Sequence, residues 1–296
     1  MRRLFAFLAV VLFSVTLTFA QGVQSDDDHH DNGPIQAGYA VVTPVVVTTS
    51  VTSGGTTTTV TTSSSGLVVF ETFGLRYDGG ASAIQAGVLP PDLTTNAMLF
   101  VDSEGRLGKN IGVAIVNPNS GSVNVNLTLL KGDGTTAATG MLNVPSHQQV
   151  SKMVTQLFVP GATIPTDVTG TLLISSTSLP VSVIGLRFRG ANFSTIPATD
   201  LSASNVALPN ITADAGGAGA ILLPQFAAGG GWATELVLIN SGTGPMTVRV
   251  DLFKQDGTPL STGLNGKTAS SFIGINIPAG GVVVLAPRDP AGDDDF

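Results

Sequence analysis

The chain has no cysteine, and Asp, Glu, Lys and Arg together supply only 11% of its 296 residues. The missing cysteine excludes a lipid-anchored lipoprotein, whose acylated residue is Cys. It also leaves stability outside the cytoplasm to core burial without disulfides. Basic side chains are scarce, 13 against 20 acidic. A nucleic-acid partner is therefore not expected, because phosphate contacts need a basic face. No G-x-S-x-G, H-E-x-x-H, P-loop or paired cysteine motif occurs, so nothing points to an enzyme or a cofactor. After residue 20 no stretch is long and apolar enough to span a membrane as a helix.

What is present is Val, Thr and Gly in short runs, the balance of an all-β protein with many turns. Residues 1–20 have the form of a signal peptide. Arg2 and Arg3 make a positive start, residues 4–17 an apolar core, and Thr18-Phe19-Ala20 a small-residue cleavage site. An uncleaved anchor is the alternative, but Gln21 begins a flank without stop-transfer charges. The expectation is an exported protein, periplasmic or at the cell surface, with no transmembrane span after cleavage. Two of its 13 basic residues would leave with the leader and all 20 acids would stay.

Two stretches align without a gap, "IGVAIVNPNSGSVNVNLTLLKGDGTTAATGM" from Ile111 and "TELVLINSGTGPMTVRVDLFKQDGTPLSTGL" from Thr234. Asn117 answers Asn240, Gly121 answers Gly244, and Asp133-Gly134-Thr135 answers Asp256-Gly257-Thr258. The apolar runs 113–116 and 236–239 suit strands covered on both faces. Val123, Val125, Leu127 and Leu129 alternate with polar residues, the period of a half-exposed strand. The Asp-Gly pairs supply positive-φ hairpin positions. A weaker match sets residues 37–80 against 169–190, with Gly74-Leu75-Arg76 answering Gly185-Leu186-Arg187. Both read as strand, turn, strand. The parts thus run back half, front half, back half, front half.

"GGGWATELVLINSG", "VDLFKQDGTPL" and "IPAGG" in the second copy, with "AGVLP" at residues 86–90, resemble an uncharacterised tandem β-sandwich repeat of secreted bacterial proteins. The likeness covers most of residues 37–288 and brings no known catalytic residues. Copy one departs from it, with Gly108-Lys109-Asn110 in place of Gly-Trp. The resemblance implies two tandem immunoglobulin-like β-sandwich domains. A single larger β assembly, such as a curved double sheet, is the alternative.

The domain reading is an acidic disordered leader at 21–36, an N-terminal strand pair at 37–90, repeat one at 97–197, a connector at 198–219, repeat two at 220–288 and an acidic tail at 289–296. Between the strands of the N-terminal pair lies the Thr/Ser-rich insertion 48–65. With Gly54-Gly55 near its centre it reads as a protruding Thr-rich β-hairpin, projecting roughly 30 Å. A disordered linker is the rival, favoured by low complexity.

Candidate site residues are few. Trp232 follows three glycines and could stack on sugar rings, though a domain-start Trp covering the end of a sandwich is commoner. His29 and His30 among acidic residues could hold a metal loosely, but nothing orders them, so no metal site is assigned. His147 lacks a partner nucleophile. Asp133 and Asp256 are single carboxylates, too few for calcium. Arg76, Arg187 and Arg189 read as strand-end cations guarding an exposed edge. The leading function is a non-catalytic structural or adhesive protein of the bacterial cell exterior; the alternative is an extracellular polysaccharide-binding module. Repeat two lacks a back half, and residues 38–75 have the missing pattern. They could complete it within one chain, or head-to-tail from another, or could instead pack on the front half that follows them.

Overall fold

The computed structural model describes residues 39–42, 47–53, 56–62, 69–76, 82–158, 164–190, 192–202, 221, 223, 225–229 and 233–287. They form an all-β structure of several antiparallel sheets with one helical turn.

The N-terminal part holds two strand pairs. β1 (Val47–Ser53) runs against β2 (Thr56–Thr62), with Ser53 opposite Thr56. β3 (Glu71–Arg76) runs against β4 (Ser82–Val88). The sequence reading had paired the stretch after residue 37 with the one ending at Arg76. In the structure 39–42 is not a strand, and β3 takes the strand after it. The reason is repetition: Gly74 faces Gln85 just as Gly185 faces Ile196, so β3–β4 has the register of a hairpin in repeat one.

Repeat one is a two-layer structure. It runs β5 (Asn96–Ser103), β6 (Lys109–Asn117), β7 (Val123–Lys131), β8 (Thr136–Val144), β9 (Gln148–Met153), helix α1 (Val154–Leu157), β10 (Val168–Ser176), β11 (Ser182–Arg189), β12 (Asn192–Pro197) and β13 (Thr199–Asp200). One sheet has the order β13-β5-β10-β7-β8 and the other β12-β11-β6-β9. Between them lies one apolar core that includes Leu99, Val101, Ile111, Val113, Val123, Leu127, Leu172 and Val183. The alternating residues of β7 all point into it, and β6, flanked by β9 and β11, is buried along most of its length. Phe158 and Leu157, just past β9, join the same core.

Strands β10 and β11 were expected as a pair. They belong to opposite sheets: β10 lies between β5 and β7, and β11 between β6 and β12. The turn between them is an arch across the core, anchored where Val181 and Thr94 exchange backbone hydrogen bonds at 2.9 Å. The expected connector likewise begins with structure, because β13 adds to the edge of β5.

Two glycines let these strands approach. A Cβ at Gly170 would lie 1.9 Å from the Leu130 carbonyl oxygen, and one at Gly185 would lie 2.6 Å from a Leu99 methyl. Thr171, beside Gly170, is fully buried and its hydroxyl has no hydrogen-bond partner. Thr171→Val keeps the shape and removes the unmet hydroxyl, so it should stabilise the fold by about 1 kcal/mol. A higher denaturant midpoint at unchanged slope is the expected result.

Residues 233–287 carry β14 (Leu236–Ile239), β15 (Met246–Asp251), β16 (Thr262–Leu264), β17 (Lys267–Ala269), β18 (Ser271–Ile277) and β19 (Val282–Leu285). β14 pairs with β19 as β6 pairs with β9: Ile239 faces Val282 where Val116 faces Gln149. β15 pairs with β18 as β7 pairs with β8: Met246 faces Ile277 where Val123 faces Val144. The extra residues of this copy fold into the β16–β17 hairpin, turned by Asn265 and Gly266 at φ 48° and 74°. Its core is smaller, built on Leu236, Leu252, Leu264, Phe272 and Leu285. Among the described residues no helix is long and apolar enough to cross a membrane.

Candidate functional site

Charged residues are rare in this chain, so the places where they gather are informative. Asp102 is the last residue but one of β5 and Lys109 begins β6, and the chain between them brings the Lys109 Nζ to 3.2 Å from the Asp102 carboxylate. Arg187 on β11 reaches the same carboxylate at 3.2 Å and spans Glu235, at the entry to β14, through both terminal nitrogens at 3.0 and 3.2 Å. The Lys109 and Glu235 side chains are only 3% and 5% exposed. Two cations and two anions thus neutralise one another across the seam between repeat one and residues 233–287. Nearby, the Val282 amide donates to the Gly132 carbonyl at 2.9 Å. The sequence reading of Arg187 as an edge guard is corrected here. β11 is an internal strand, and its guanidinium is held by two carboxylates.

A second polar arrangement occurs twice. Asn117 is fully buried at the end of β6, and its amide donates to the carbonyls of Gly121, Val144 and Pro145 at 2.8, 3.0 and 3.1 Å. Its oxygen accepts from the Asn119 amide at 2.9 Å. Asn240 is buried equally and donates to Gly244, Ile277 and Pro278 at 2.7, 3.1 and 3.0 Å, accepting from Gly242 at 2.9 Å. Each Asn ties its strand end to a loop and to the strand of the other layer.

The Asp-Gly turns also match. Gly134 and Gly257 sit at φ 82° and 81°, the left-handed position that closes such a hairpin. Asp133 accepts from the Thr135 amide and hydroxyl at 2.9 and 2.6 Å, and Asp256 does the same with Thr258. The threonine hydroxyl, then the threonine amide, hold both carboxyls below the ordinary value of 3.8. Because the folded pKa is depressed, the turn stabilisation is complete above the unfolded value and is lost as pH falls through the folded one. In an acid titration the Thr135 and Thr258 amide resonances should therefore move with midpoints below 3.8. Midpoints at or above that value would contradict the assignment.

A cleft of about 400 Å³ opens between the end of β4 and β12–β13, lined by Leu89, Pro90, Asp92, Thr94, Thr195 and Asp200 among others. Its floor is pinned. Thr94 Oγ1 donates to Asp200 Oδ1 at 2.5 Å, and the Ser202 amide and hydroxyl donate to the same oxygen at 2.8 and 2.6 Å. Thr195 donates to the Gly87 carbonyl at 2.7 Å and closes one side. Asp200 is thus occupied in holding the loop.

Of the residues singled out from sequence, Trp232, His29 and His30 lie outside the described residues, and nothing is described of the Arg76 side chain. His147 has φ 53° in the turn after β8, and its carbonyl accepts from the Tyr39 hydroxyl at 3.1 Å. Arg189 stands at the end of β11, with one guanidinium nitrogen buried and not hydrogen-bonded. The described residues include no cluster of three or more His, Asp or Glu suited to a metal. Asp102, Lys109 and Glu235 were missed. The available signal was a charge embedded in or bordering an apolar run, as in "MLFVDS" and "GKNIGVAIV".

No protein-family model matches the chain, and no curated protein matches it. Two solved structures are similar over part of it. One is the Anabaena sensory rhodopsin transducer, 21% identical over 32% of this chain and 89% of that one, with a TM-score of 0.27. The other is Thermotoga maritima 1070, 12% identical over 36% of this chain and 90% of that one, with a TM-score of 0.28.

Proposed function

We propose that this chain is a secreted, non-catalytic structural or adhesive β-sandwich protein of the bacterial cell exterior. In this reading it is built from tandem immunoglobulin-like repeats and carries a Thr-rich hairpin as an outward arm. The observation that carries the reading is the structural use to which the polar groups are put. Asn117 and Asn240 do the same architectural task in the two copies, and so do Asp133 and Asp256. Asp102, Lys109, Arg187 and Glu235 neutralise one another. No nucleophile with an adjacent base stands out among these groups. The signal-peptide pattern at residues 1–20 supports the exterior address.

A second reading, an extracellular polysaccharide-binding module, draws on the cleft beside β12–β13, where polar Asp92 and Thr195 adjoin apolar Leu89 and Pro90. Pull-down on insoluble polysaccharides and a glycan array, with wild type, Trp232→Ala and Asp92→Ala, separates the two. The structural reading predicts no retention that depends on either residue. Sugar binding abolished by either substitution would transfer the function to the second reading.

A further inference from the structure

The two copies of the front half are not equally covered. In repeat one, β6 has neighbours on both sides, β9 and β11, and β7 has β8 and β10. Their counterparts β14 and β15 have one neighbour each among the described residues, β19 and β18. Burial follows. Val123 and Val125 are fully buried and Leu127 nearly so, whereas the corresponding Met246 is 42% exposed and Val248 and Val250 are half-buried. Ile115 is buried and its counterpart Leu238 is not. Two-stranded sheets are marginal by themselves, and an open apolar edge is a template for another strand.

The chain also holds the part that would fit. In repeat one the edge of β6 is filled by β11, with β12 beyond it. The β3–β4 hairpin reproduces β11–β12 in its Gly-Leu-Arg sequence and in its register. In its own chain the described N-terminal contacts go to repeat one: Tyr39 to the turn at His147, and Gly87 to Thr195. Tyr39 thus meets the front half that follows it, and Gly87, on β4, meets β12, so neither contact uses β3. Val41, Val42 and Phe70 meanwhile stay 74%, 57% and 72% exposed, so this segment carries uncovered apolar surface of its own.

We propose that the open edge of β14 in one copy receives β3 of a second copy of this chain, in the register that β11 holds on β6. By that correspondence Thr72 faces Leu238, as Val183 faces Ile115, and Glu71 faces Ile239, as Ser182 faces Val116. The contact is heterologous: donor and acceptor edges differ, so successive copies join head to tail into rings or filaments. This gives the structural reading its mode of assembly. Failure of the strand donation would leave that reading standing, since a monomer can still coat or adhere.

The absence of native cysteine makes the test clean. Single variants Thr72→Cys and Leu238→Cys of the full chain are mixed and oxidised, and the double variant is oxidised alone. Glu71→Cys with Ile239→Cys serves as a second pair should Leu238→Cys melt early. The proposal predicts a covalent dimer in the mixture and a ladder of multiples from the double variant. Cross-links confined within single chains would overturn it in favour of self-closure. So would the absence of any cross-link from both pairs when wild type sediments as a monomer at high concentration.

Discussion

Asp102→Ala should cost about 3–5 kcal/mol, the range for removing one partner of a buried ion pair. The Asp102 carboxylate is shared by Lys109, whose side chain is 3% exposed, and by Arg187, both at 3.2 Å. Removing it takes from Lys109 and Arg187 the carboxylate they share, and Arg187 keeps Glu235. Asp102→Asn keeps the shape and should fall between the variant and wild type. Equilibrium urea unfolding checks the loss. High salt should not restore it, because buried charges are poorly screened. A loss below about 1 kcal/mol, the value of a surface pair, would mean that the cluster is solvated.

Asn117→Ala and Asn240→Ala are the second pair of large effects. Each removes a fully buried amide, and with it the side-chain donor of a buried carbonyl at the strand end, Val144 in one copy and Ile277 in the other, while the Pro145 and Pro278 carbonyls keep the Gln148 and Gly281 amides. The expected cost is about 2–4 kcal/mol each, since buried acceptors lose their partners without gaining water. At about 4–8 °C per kcal/mol for a domain of this size, the melting temperature should fall by more than about 8 °C. Asn→Asp should be worse at both positions, because a carboxylate would turn acceptor oxygens toward carbonyls. An equal effect at the two sites would mark them as the same device used twice.

Much of this was legible beforehand because turn chemistry and strand period are local. Asp133-Gly134 and Asp256-Gly257 close hairpins as their sequence demands, and Val123 to Leu129 alternate into the core. What was not legible depends on partners far along the chain. A strand-turn-strand stretch such as 169–190 reads the same whether its turn folds back within a sheet or arches across the core. Only the neighbours of β10 and β11 decide. The pairing of Glu71–Arg76 with Ser82–Val88 could have been found by carrying the Gly-Leu-Arg match past Arg187 into β12. Asn265-Gly266 was also a readable hairpin signal inside the longer second copy. Arg187 was misjudged because a strand-end cation looks alike on an edge strand and on an internal one. The carboxylates that hold it lie on β5 and at the start of β14.

The proposed structural role outside the cell depends first on the chain's address, which is open to direct measurement. N-terminal sequencing of the protein recovered from the cell exterior, alongside the cytosolic and membrane fractions, decides it. An exterior chain beginning at Gln21, after the small residue Ala20, is the expected result. A chain found in the cytosol, or held in membranes with residues 1–20 intact, would contradict it.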